Sequence, residues 1–137
     1  MVAAVAEEEP KFEASRIEID RDGPSYTADT LDEIAKSHPN ASLFLILGLD
    51  SFLDLPHWKS PEKILSRARL LVVKRPRLRH KFPEVLEGHY DLLPFSETEL
   101  SSTRVRDSIE SGAPFDELVP APVARLITTK RIYRVDR

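Results

Sequence analysis

The sequence predicts an α/β fold, a parallel sheet with helices on both faces. Three observations carry that prediction. Leu43–Leu47 is an unbroken apolar run closed by Gly48. A strand with one wet face would alternate, so burial on both faces is expected. Leu70–Val73 is a second short apolar run, and apolar residues recur at helical spacing around both. The order strand, helix, strand, helix, strand belongs to a parallel sheet joined by helical crossovers.

A length of 137 residues suits a single domain over 1–137, and 41% apolar content is enough for a core. The net charge of −3 argues against a general nucleic-acid binder. With no cysteine, disulfides, thiolate metal sites and cysteine nucleophiles are excluded, which is compatible with a reducing cytoplasm. No apolar run approaches the roughly 20 residues of a membrane-spanning helix. The opening MVAAVAEEEP lacks the basic leader of a secretion signal.

Met1–Glu9 is rich in Ala and Glu, which favour helix, and Pro10 stops it. No capping residue precedes it, so it reads as the back end of a longer helix. Lys11–Ile19 has strand character through Phe12, Ile17 and Ile19, although the alternation breaks midway. Asp22-Gly23-Pro24 is a turn signal. A helix is predicted from Thr27 to Ser37, with Ala28, Leu31, Ile34 and Ala35 on one face and Thr30 and Glu33 at capping-box spacing.

Past the central strand, Asp50 and Ser51 can cap a short helix. Ser60-Pro61-Glu62 starts another, with a capping hydroxyl, a first-turn proline and a carboxylate at the positive end. Ile64, Leu65 and Ala68 give it a buried stripe. Lys74–Lys81, KRPRLRHK, is either a solvated basic loop or a landing place for phosphates. Lacking aromatics, it does not suit single-stranded nucleic acid. Tyr90–Phe95 is the last predicted strand. Ser101-Ser102-Thr103 opens a helix that ends before Gly112, and Leu118-Val119-Pro120 introduces a final one with Val123, Leu126 and Ile127 inward.

Ligands in open α/β sheets collect beyond the carboxyl ends of the strands. There Gly48, Asp50 and Trp58 offer a glycine that admits a backbone, a carboxylate for a sugar hydroxyl and an indole to stack on a ring. The same residues also read as a strand end, a helix cap and a packed tryptophan. Hydroxyls at a helix start satisfy backbone donors that can instead hold an anion. Ser102 and Arg106 are four apart, so a planar guanidinium would stand behind such an anion. A plain cap explains the hydroxyls equally well.

Several motifs occur together and in order: Ser25-Tyr26-Thr27-Ala28-Asp29-Thr30-Leu31, Gly48-Leu49-Asp50-Ser51, Leu55-Pro56-His57-Trp58, Val73-Lys74-Arg75-Pro76, Ser101-Ser102-Thr103-Arg104-Val105-Arg106 and Leu118-Val119-Pro120. In this combination the chain resembles the bacterial nicotinate mononucleotide adenylyltransferases, from about Met1 to Tyr133. The resemblance implies a Rossmann-like nucleotidyltransferase fold. It also implies adenylyl transfer from ATP to nicotinate mononucleotide in NAD synthesis, with Mg2+ entering as Mg-ATP. By the same resemblance, Tyr26, Thr27, Thr30, Trp58 and Arg75 meet the nicotinate nucleotide, with Trp58 stacking on the pyridine ring. Gly48, Asp50, Ser101, Ser102, Thr103 and Arg106 meet ATP and its phosphates. Pro61 stands where the family often has a second tryptophan, and Leu49 and Leu100 are further departures.

The family's opening strand and its G-x-F-x-P-x-H-x-G-H turn have no counterpart here. The histidines are His38, His57, His80 and His89, no two at that spacing. No catalytic residue is therefore assigned. Met1 is expected to correspond to a point within a helix of a longer enzyme, with the first two strands absent and a gap between Lys11–Ile19 and Leu43–Leu47. Such a chain would be impaired in catalysis. The alternative is a non-catalytic relic that binds a nucleotide or a protein through Trp58 and the Ser101–Arg106 cap. Nucleic acid and membrane are not expected partners, and oligomeric state is left open, a homo-oligomer included.

Overall fold

The computed structural model describes residues 1–73, 81–94 and 100–133. In chain order its elements are α1 (Val2–Ala6), α2 (Thr27–Ser37), β1 (Leu43–Gly48), α3 (Leu49–Asp54), α4 (Pro61–Arg67), β2 (Ala68–Val73), β3 (Tyr90–Leu93), α5 (Ser102–Ser111) and α6 (Ala121–Lys130), with short 3-10 turns between. The chain divides into two compact units, Ile17–Glu97 and the combination of Met1–Arg16 with Thr98–Arg137.

The Ile17–Glu97 unit is built on a parallel sheet in the order β1-β2-β3. Leu43 pairs with Ala68 through to Gly48 with Val73, and Leu70 pairs with Tyr90 through to Val73 with Leu93. The connection from β1 through α3 and α4 to β2 is the βαβ crossover that the sequence order predicts. One sheet face carries Leu47, Ala68, Leu70 and Val72. Against it lie Ala28 and Leu31 of α2, Leu49 and Phe52 of α3, Leu55, Ile64 of α4, and Leu86. Phe52, Leu55, Ile64, Leu70, Val72 and Leu86 are fully buried, each such side chain stabilising the fold by about 1.5–3 kcal/mol. Phe52, Phe82 and Tyr90 form an aromatic triad with ring centroids 4.9–5.6 Å apart.

Three expectations are corrected by the structure. The Leu43–Leu47 run is not covered on both faces: Phe44 is 56% and Ile46 65% exposed. Side chains alternate along a strand, and α3 and α4 pack on the opposite face, the one bearing Leu47, Leu70 and Val72. The predicted strand Lys11–Ile19 does not form. Its broken alternation gives no continuous face to bury, leaving Phe12 60% and Ile19 71% exposed, and β1 is an edge strand of the sheet. Thr30 and Glu33 make no capping box, because the helix already begins at Thr27 behind Tyr26. The Thr30 hydroxyl donates to Glu18 Oε1 (2.7 Å) and accepts from Arg21 Nη1 (3.2 Å), while Arg21 Nη2 donates to Glu33 (2.6 Å). These bonds fasten the turn before α2 onto the helix.

Ser60 holds the predicted cap position of α4, yet its hydroxyl makes no cap bond. Its backbone sits in the left-handed region at φ 51°, and its carbonyl accepts from Lys63 and Ile64. The last predicted strand is seen as β3, Tyr90–Leu93; Phe95 lies outside the described residues.

The second unit packs Ile109 of α5 against Val123 and Ile127 of α6, with Val5, Val105, Phe115 and Val119 around them. The N-terminal helix is shorter than predicted, Val2–Ala6, and packs on α6, where Glu8 pairs with Arg125. Ser101 caps α5 as expected, its Oγ accepting the Arg104 N–H at 3.1 Å. Gly112 ends that helix at φ 75°, a conformation glycine adopts without a Cβ penalty.

Candidate functional site

Helices that cross over between parallel strands run back antiparallel to them, so their N-termini return to the carboxyl ends of the strands. Tyr26 and Thr27 open α2, Ser60 and Pro61 open α4, and α3 leads from the end of β1 into the turn Leu55–His57. Between these three pieces lies a hollow of about 360 Å³, lined by Ser25, Tyr26, Thr27, His57, Trp58, Lys59 and Ile64. This volume lies in the range of small-molecule sites, roughly 300–1,000 Å³. Trp58 packs partly on the core and partly on the hollow.

Trp58 Nε1 donates to Asp54 Oδ2 at 3.2 Å, one helical turn back, and His57 Nδ1 stands 3.4 Å from Asp54 Oδ1. Lys59 Nζ donates to Asp29 Oδ2 at 3.2 Å and lies 4.0 Å from the centroid of the Tyr26 ring. Two helices thus fix the indole, the phenol and the ammonium around one opening. Among the described residues the lining contains no carboxylate; Asp29 and Asp54 contact lining residues without lining the hollow themselves.

Of the residues singled out from sequence, Tyr26, Thr27 and Trp58 come together here. Gly48 and Asp50 lie at the carboxyl end of β1, Gly48 as the cap residue of α3 and Asp50 in its first turn, both exposed. A Cβ at Gly48 would meet nothing within 4 Å, so the backbone there is open to approach. Thr30 does not line the hollow; its hydroxyl is committed to Glu18 and Arg21. Arg75 and most of the basic run Lys74–Lys81 lie outside the described residues. In the other unit, Ser101, Ser102, Thr103 and Arg106 gather at the exposed start of α5, where Arg106 Nη2 donates to Thr103 Oγ1 at 3.4 Å.

Sequence reasoning gave no role to Lys59 or His57. Lys59 adjoins Trp58, but its partner Asp29 is 30 positions away, a distance no local pattern spans. A hollow of about 400 Å³ also opens at the amino ends of the strands, near Leu43 and Ala68. Its guanidinium groups are already engaged, Arg67 with Asp32 and Arg69 with Asp91, and it lies at the end of the sheet opposite to where parallel sheets bind ligands. Among the described residues, no cluster of three or more His, Cys, Asp or Glu side chains could hold a metal ion. None of their helices is long and apolar enough to cross a membrane.

No family model matches the chain. Curated proteins do. A probable nicotinate-nucleotide adenylyltransferase of Hydrogenovibrio crunogenus is 32% identical over 149 residues, covering 98% of the chain and 71% of the relative. One from Streptomyces coelicolor is 35% identical over 134 residues, with the same coverage. Among solved structures, Plasmodium falciparum nicotinic acid mononucleotide adenylyltransferase complexed with APC shares the fold at a TM-score of 0.60 and 20% identity. That match covers 82% of the chain and 60% of the Plasmodium protein. The same enzyme complexed with NaAD gives a TM-score of 0.58.

Proposed function

The chain belongs to the nicotinate-nucleotide adenylyltransferase family, and from that premise we propose that the hollow beside Trp58 receives the pyridine ring of nicotinate mononucleotide. The observation that carries this reading is the meeting of Tyr26, Thr27 and Trp58 around one opening at the carboxyl end of a parallel sheet. An indole face held by Asp54 is preorganised to stack on a flat ring. Gly48 and Asp50 attend the nucleotides where the backbone is open, and Arg75, two positions after the last residue of β2 in sequence, is read as a further contact to the nicotinate nucleotide. Ser101, Ser102, Thr103 and Arg106 receive phosphate oxygens of ATP at the start of α5.

In the reaction, a phosphate oxygen of nicotinate mononucleotide attacks the α-phosphorus of ATP in line. A new P–O bond forms, the bond to the β-phosphate oxygen breaks, and pyrophosphate leaves. Such chemistry depends on positioning and on stabilising charge. Magnesium would enter as the counter-ion of ATP and would help neutralise the charge on its phosphates. These substrates suit a cytoplasmic reaction.

The G-x-F-x-P-x-H-x-G-H pattern is absent from these 137 residues. Since one preorganised donor is worth about 2.7–4 kcal/mol of transition-state stabilisation, the isolated chain retains only weak turnover. Pyrophosphate release with ATP and nicotinate mononucleotide tests this. Turnover at about 10 s⁻¹, the middle of the range for enzymes, would overturn the dependence on that pattern. Binding of both nucleotides without turnover would favour the non-catalytic relic.

A further inference from the structure

We propose that Lys59 makes the Trp58 hollow select a pyridine ring bearing a carboxylate over one bearing a carboxamide. The inference rests on the reading of this hollow as the pyridine site and adds the residue that sets its preference. Lysine has three N–H donors. One is spent on Asp29 at 3.2 Å, and the ammonium also lies over the Tyr26 ring at 4.0 Å. These contacts restrain a side chain that otherwise loses about 2 kcal/mol of rotamer entropy when it is fixed. Lys59 lines the hollow, whereas Asp29 does not. Of the pair, the residue that borders the cavity is therefore the positive one. Asp54 is likewise set behind His57 and Trp58. A cavity with cationic and aromatic walls and its acids withdrawn favours an anionic substituent on a stacked ring.

The test is a calorimetric titration of the full chain with nicotinate mononucleotide and, separately, nicotinamide mononucleotide. The wild-type chain is expected to bind the nicotinate form more tightly, and that margin is expected to shrink with added salt. Lys59→Met keeps most of the apolar stem and removes the charge. It should weaken nicotinate mononucleotide roughly 10- to 100-fold, the range of a hydrogen bond to a charged group, and leave nicotinamide mononucleotide nearly unchanged. Lys59→Arg should restore the preference. Equal weakening of both nucleotides by Lys59→Met would overturn the role of Lys59 while leaving the site in place. If the wild-type chain binds neither nucleotide, the reading of the hollow falls, and the preference with it.

Discussion

At the scale of single residues, Trp58 is where packing and recognition meet. It is the only tryptophan in the chain, so tryptophan fluorescence reports on this one position at the edge of the hollow. Stacking of a pyridinium ring on the indole should quench that emission in a saturable way as nicotinate mononucleotide is added. Base-on-aromatic stacking is worth about 1–3 kcal/mol by alanine substitution, so Trp58→Ala should weaken binding by roughly 5- to 150-fold in calorimetry. Trp58→Phe keeps a ring face but loses the Nε1–H donated to Asp54, and should fall between the two. Emission unmoved by the nucleotide, with the affinity of Trp58→Ala intact, would remove the indole from the site. The sequence made Trp58 conspicuous as a lone indole in the segment that follows β1, although a packed tryptophan explained it as well until the motifs around it were read together. Lys59 was not conspicuous, since its meaning depends on Asp29 of α2 and on the face of Tyr26.

Elements show the limit of reading hydroxyls as caps. Ser60 and Ser101 both precede helices and look alike in sequence. Only Ser101 caps with its side chain, accepting the Arg104 N–H at 3.1 Å, while Ser60 turns its backbone to φ 51° and makes no cap bond. Ser101→Ala should therefore cost about 0.5–2 kcal/mol in denaturant unfolding, whereas Ser60→Ala should lie within about 0.5 kcal/mol of wild type. Similar losses at both positions would contradict the structure of the α4 start. The helix Thr27–Ser37 was legible to the residue because its apolar stripe, turn and terminal Pro39 agree. The strand expected over Lys11–Ile19 was not, because a strand is defined by a partner as well as by its own pattern. β1 was legible as a strand, but the exposure of Phe44 and Ile46 depends on what covers the sheet, which its own six residues do not state.

For the molecule as a whole, the same split recurs: local patterns located the elements, and long-range ion pairs join them. Arg67 of α4 donates to Asp32 of α2 at 2.7 Å, and Arg69 of β2 holds Asp91 of β3 through Nη2 at 2.6 Å and through Nε. The hydrogen bond from Arg67 keeps the Asp32 carboxyl below its ordinary value, aided by the positive charge of Arg67, Lys63 and Lys36 and opposed by desolvation. Arg69 does the same for Asp91. Because both groups release their protons more readily when folded, the unfolded chain binds more protons around the ordinary carboxylate range. Stability accordingly rises with pH there. The contribution is present above about pH 4, the unfolded value, and is lost as pH falls through the lower folded values. Denaturant midpoints of wild type and of an Asp32→Asn, Asp91→Asn double variant should differ at neutral pH, with wild type the more stable. The two curves should converge on acidification below about pH 4. Both pairs are partly exposed, so 1 M salt, with a Debye length of about 3 Å, should narrow the neutral-pH gap as well. A gap that persisted unchanged in acid would mean that packing around these side chains, and not their charge, ties α2 to α4 and β2 to β3.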